Sequence, residues 1–180
     1  MMDLTQRGLP NVVMINGSPF SIYTDFRLWM RFENEVRRLQ RGHVMDISYL
    51  FKNDMPAYCN IPELFAFSRP YSPLPRQIGS ASDVIALDYE LDGDLIYAAF
   101  LGQYGIDLVE VEELHWHKFL ALLKGLNEQT KLREVMGYRC YEKSTNPKKD
   151  VYEELRRAWE IEYISEDEQE EIDKFNSYFE

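Results

Sequence analysis

The stretch Asp88 to Ala99, DYELDGDLIYAA, sets carboxylates where a calcium-binding loop needs them: Asp88, Glu90, Asp92 and Asp94 at positions one, three, five and seven, with Gly93 at the turn and Leu95 at the apolar eighth position. A hard cation takes such oxygen ligands, but the twelfth position must supply a bidentate glutamate to close the cage. Here it is Ala99, and the preceding VIAL reads as strand or loop where an entering helix is required. The same carboxylates are explained by a helix start, with Asp92 as cap and negative charge near the positive end of the helix dipole. Calcium binding is therefore the third-ranked reading.

His115 and His117 flank Trp116 just after Glu112 and Glu113. Two residues apart on a helix point in different directions, whereas a zinc-protease motif needs histidines four apart on one face. The third histidine, His43, is remote in sequence, so the expectation is core or surface histidines and no metal. Cys59 and Cys140 each lack a neighbouring thiol or an evident base. They read as reduced, partly buried cysteines, with a disulfide the lesser alternative. No nucleophile elbow, phosphate loop or dinucleotide fingerprint is present. The chain is expected to be no enzyme and to need no cofactor.

These residues must be positioned by a fold, and the composition supports one. Of 180 residues 45% are hydrophobic and 14% aromatic, ample for a buried core in a chain of this length. Thirty-one acidic against 20 basic residues give a net charge of -11, which would repel a phosphate backbone and excludes nucleic acid as the main partner. No apolar run reaches the ~20 residues of a membrane span, and the start MMDLTQRGLP has no secretory pattern, so the cytoplasm is the expected location and no membrane is implied.

Asn16-Gly17 between NVVMI and SPFSI predicts a β-hairpin, with Pro19 suited to an edge. Thr24 or Asp25 caps a helix to about Gln40, whose apolar arc (Phe26, Leu28, Trp29, Met30, Phe32, Val36, Leu39) is wide enough for burial. Its narrow remaining face carries Arg27, Arg31, Asn34 and Arg38. Such rows are usually solvated faces balanced by the protein's own carboxylates; the alternative is a site for an acidic partner. Short helices follow at Asp46 to Lys52 and Ile61 to Phe67, and RPYSPLPRQIGSASD, Arg69 to Asp83, reads as an exposed connector.

Beyond it, helices are predicted from Asp92 to about Tyr104, with Leu91 and Ile96 as a hydrophobic staple, then Glu112 to Lys124, Glu128 to Arg139, and Asn146 to about Tyr163. On these, Trp116, Phe119, Leu123, Leu132, Val135 and Met136 should face inward, and Tyr152, Leu155 and Trp159 lie on one face of the last. Ser165 and Glu168 form a capping box for a short acidic helix with Ile172, Phe175 and Phe179 on one edge. The fold class expected is mainly α: one compact helical domain over 1–145 with an N-terminal β-hairpin, then a C-terminal helix and acidic amphipathic tail over 146–180.

Taken together, DYELDGDLIYAAFLGQYGIDLVEVEELHWHKFLALLKGL and the following REVMGYR, Asp88 to Arg139, resemble the bacteriophage gene-product-fifteen family of tailed phages and prophages. The opening LPNVVMINGSPFSIYTDFRLWMRFE looks like the start of the same family. The signature pieces are Ile96 to Phe100, Tyr104 to Leu108 and Leu114 to Leu126. His117 departs from the pattern, where a second aromatic often stands. The resemblance implies a gene next to that of the tape-measure protein, where tail-assembly chaperones are encoded, and it carries over no catalytic residue. It implies a chaperone that binds the tape-measure protein, alone or with other tail-assembly proteins, before the tail tube polymerises. The alternative is a minor structural component retained in the tail. Self-association stays open. Trp116, Phe119 and Leu123 are expected in the core of the family motif, since an aromatic and leucine stripe usually faces inward. Candidate partner-binding residues are Arg27, Arg31 and Arg38 on the basic row, and Ile172, Phe175 and Phe179 on the tail.

Overall fold

Asn16 and Gly17 adopt φ angles of 49° and 78°, as a two-residue hairpin turn between right-twisted strands requires. They join β1 (Val12–Ile15) to β2 (Ser18–Ser21), paired antiparallel with Val12 opposite Ser21 and Ile15 opposite Ser18. The computed structural model describes residues 5, 7–38, 45–59, 61–69, 85–141, 151–161 and 174. Val13 and Ile15 are buried while Val12 and Met14 are exposed, the alternation of a strand with one face on a core.

The chain then enters α1 (Phe26–Arg38). Asp25 caps it, Oδ1 accepting the Arg27 N–H at 3.0 Å. Phe26, Trp29 and Phe32 are fully enclosed. Next comes a single 3-10 turn at Ser48–Leu50, shorter than the helix expected over Asp46 to Lys52. The flanking backbone is drawn off: Tyr23 N–H donates to Leu50 O at 2.9 Å and Lys52 N–H to Ser21 O at 3.1 Å. A helix cannot continue through residues that extend the hairpin. Helix α2 (Ile61–Ser68) follows, with Pro62 in its first turn.

Helix α3 (Gly93–Tyr104) ends at Gly105, whose φ of 65° is left-handed, a conformation glycine adopts without penalty. Asp92 holds the cap position but makes no side-chain capping bond; its Oδ2 accepts the Asp88 N–H at 2.9 Å instead. Leu91 stays 58% exposed, so the expected staple over Ile96 adds little burial.

Helix α4 (Trp116–Lys124) starts four residues later than predicted. Residues 114–116 are committed to a backbone latch with residues 24–26: Phe26 N–H donates to Leu114 O at 2.9 Å and Trp116 N–H to Thr24 O at 2.7 Å. His115 is then the cap, its Nδ1 accepting the His117 N–H at 3.1 Å. Helix α5 (Lys131–Arg139) begins after Thr130, which accepts the Arg133 N–H; it is shorter than expected by its first turn. Leu132 and Val135 are buried on it, whereas Met136 is half-buried.

The fold is mainly α with an N-terminal hairpin, in two compact units: Met1–Ser82 with Leu87–Glu134, and Asp83–Ala86 with Val135–Glu180. In the first, Phe119 is the hub of an aromatic stack, with Phe26 and Phe100 each 5.0 Å away and Trp116 5.6 Å away. In the second, the buried Arg139 donates to the carbonyls of Trp159 at 2.7 Å and Ala86 at 3.2 Å. Helix α6 (Val151–Ala158) there buries no residue: Tyr152 is 55% exposed and meets Tyr141 in a stacked pair at 5.4 Å. Cys140 is exposed rather than partly buried, and both cysteines are free. Arg69 ends α2 through its N–H to Phe65 O. The connector beyond it, His43 and the tail with Ile172, Phe175 and Phe179 lie outside the described residues.

Candidate functional site

Along the solvent side of α1 runs an open groove of roughly 640 Å³. Phe26, Met30, Arg27, Arg31, Asn34 and Glu35 come from the helix; the Tyr89-Glu90 turn forms one wall and the Leu108-Val109 turn the other. Its lining is chiefly apolar, and Val109 at 71% exposed is the most open large hydrophobic residue of the described chain. Each wall is fixed by local chemistry. Asp107 Oδ1 accepts the N–H groups of Val109 and Glu110 at 2.9 and 3.2 Å, an Asx turn that holds Val109 outward. These amide bonds, chief among the causes, also keep the Asp107 carboxyl below its ordinary range. Asp88 Oδ1 accepts the N–H groups of Glu90 and Leu91 at 2.8 and 2.9 Å, and its Oδ2 meets Arg37 at 3.2 Å.

The two described arginines of the basic row are engaged within the fold. Arg27 pairs with Asp25 at 3.1 Å and donates to Leu108 O at 2.8 Å and Val111 O at 2.9 Å, so it braces one wall of the groove. Arg31 pairs with Glu35 at 2.6 Å and lies 4.0 Å over the Tyr49 ring. The side chain of Arg38 lies outside the described residues. The enclosed Asn34 Oδ1 accepts no hydrogen bond among the described residues.

Trp116, Phe119 and Leu123 are buried and form no part of the groove lining. The Trp116 indole N–H donates to Ser68 O at 2.8 Å. The histidines are likewise occupied. His115 Nε2 bonds Pro10 O at 2.9 Å and His117 Nε2 bonds Phe67 O at 2.8 Å. For His115, accepting at Nδ1 assigns the neutral tautomer with its proton on Nε2. Desolvation, the leading cause, pushes both imidazoles below their ordinary pKa. Among the described residues no group of three or more histidine, cysteine or acidic side chains is arranged to hold a metal, and no helix is long and apolar enough to cross a membrane.

The groove itself was not anticipated from the sequence. It joins residues from 26–35, 89–90 and 108–109, and the only local signal was Val109 inside IDLVEV, an apolar residue in a turn.

A family model described as Bacteriophage Gp15 protein matches residues 44–163. The match takes in α2 to α6 and begins after the hairpin and α1. Neither the comparison with curated proteins nor that with solved structures gives a match.

Proposed function

The chain belongs to the bacteriophage Gp15 family, and from that premise we propose that it is a non-enzymatic tail-assembly protein of the host cytoplasm, a chaperone that holds the tape-measure protein until the tail tube polymerises. The observation that carries the reading is the groove on α1, an apolar trough with charged rims. A long helical partner with apolar stripes aggregates unless the stripes are covered, and such a stripe laid in a groove is a common mode of helix recognition. The chain's net charge of -11 would keep a many-copy complex soluble and self-repelling.

Co-expression with the neighbouring tape-measure gene tests this. Wild-type protein should co-purify with the tape-measure protein, and Val109→Asp, which changes an exposed side chain, should lower recovery severalfold with an unchanged melt. Equal recovery would remove the groove from the proposal. Stoichiometric amounts of the chain in purified particles would instead favour a structural component retained in the tail. The acidic tail with Ile172, Phe175 and Phe179 is proposed as an auxiliary arm: deleting residues 165–180 should weaken capture, less so in high salt, with the melting temperature nearly unchanged. Equal capture by the truncated protein would rule the arm out.

A further inference from the structure

The hairpin has two edges, and the chain treats them differently. Its hydrogen-bonded pairs are fixed by the Ile22 N–H to Asn11 O bond and the register: Asn11 with Ile22, Val13 with Phe20, Ile15 with Ser18. In an antiparallel ladder the intervening residues turn their N–H and C=O groups outward. On β2 those residues are Pro19 and Ser21. Pro19 has no N–H, and Ser21 O already accepts from Lys52, so that edge is closed. On β1 they are Val12 and Met14, whose backbone groups make no hydrogen bond among the described residues. Their side chains are 40% and 57% exposed.

Exposed edges are usually protected by a lysine, an inward charge, a proline or a bulge. β1 has none of these, and residues 8–24 contain no charged side chain although the chain carries -11 overall. The hairpin itself carries no charge to repel a second copy. The outward groups are also symmetric about Val13. With two β1 strands antiparallel across a two-fold axis through Val13, Val12 of each copy exchanges both backbone bonds with Met14 of the other, and no outward group of either residue is left over. Val12 and Met14 then lie side by side on the outer face, an apolar cross-strand pair. We propose that the protein self-associates through β1, edge to edge, into a symmetric dimer with a continuous four-stranded sheet. This surface is separate from the groove on α1, so the two proposals stand or fall independently.

Sedimentation equilibrium of the full chain over a rising concentration series tests it. The wild-type mass should climb from monomer towards twice that value. Val12→Lys, which places a charge on the edge without altering the backbone, should hold the monomer mass throughout, as should Met14→Pro, which deletes an edge N–H. Should Met14→Pro fail to fold by its thermal melt, Val12→Lys decides. Amide exchange gives a second readout: Val12 and Met14 should slow as concentration rises. Wild-type protein that stays monomeric, or a dimer that persists in folded Val12→Lys, would overturn the proposal. So would Val12 and Met14 amides that slow only when a different protein is added, since the occupant would then be a foreign strand.

Discussion

Helices α4 and α6 are nearly equal in length and both carry aromatic and aliphatic residues at helical spacing, yet α4 buries Trp116, Phe119 and Leu123 while α6 buries nothing. The difference lies in what other elements bring to them. α4 is anchored at its first residue by the latch to residues 24–26 and meets rings from α1 and α3. Among the described residues the rings that meet α6 are Tyr138 and Tyr141, both at or just past the end of α5. Spacing gives a helix its apolar face; burial of that face depends on complementary surface delivered from far along the chain.

The comparison breaks most directly at Trp116. Trp116→Ala should cost about 3–5 kcal/mol in a denaturant titration, as for other buried large-to-small changes, and it would strip Ser68 O of its donor. A loss below about 1 kcal/mol would mean that the stack around Phe119 tolerates the gap and that α4 is no better supported than α6. Next in size is Arg27→Ala, which removes the brace on the 108–111 turn leading into α4. About 1.5–3 kcal/mol is expected for lost charge-assisted bonds, towards the lower end because the side chain is partly exposed. Amide exchange should quicken at residues 108–116 and not on α6.

A smaller effect sharpens the contrast through pH. Burial holds His115 and His117 neutral below their ordinary value, near 6.5, so as pH falls the unfolded chain takes up protons before the folded one. Their contribution is complete above about pH 6.5 and is lost progressively beneath it. Protonation of His115 also removes the acceptor that caps α4. His115→Asn, which keeps a capping acceptor and cannot titrate, should flatten the fall in melting temperature between neutral and mildly acidic pH. An unchanged slope would show that His115 does not govern it. Smallest of all, Val151→Ala on exposed α6 should change stability by no more than about 0.5 kcal/mol; a larger loss would show that α6 packs on something its burial pattern does not reveal.

Features written in adjacent residues were legible in the sequence. Asn16-Gly17 specified the hairpin, Asp25 the start of α1, and Gly105 the end of α3. Features set by partners distant in sequence were not. The start of α4 depends on a latch to residues 24–26, and the predicted helix at Asp46 to Lys52 gives way to backbone pairing with the hairpin. The arginine row was visible as a row, but Asp25 and Glu35 balance it locally while the carbonyls that Arg27 braces lie in the 108–111 turn. The groove followed the same rule, because no single segment contains enough of it to show a pattern.

That latch has a consequence for synthesis. Asp25 and Leu114 are joined across 89 positions, so the first turn of α1 emerges long before the residues that latch it exist. At about 5–20 residues per second the nascent chain waits on the order of five to twenty seconds before Phe26 meets Phe119. A fragment ending before Leu114 should therefore bind more of a hydrophobic dye than the finished chain does. A protein proposed to shield another's apolar stripes thus begins its own life with one exposed.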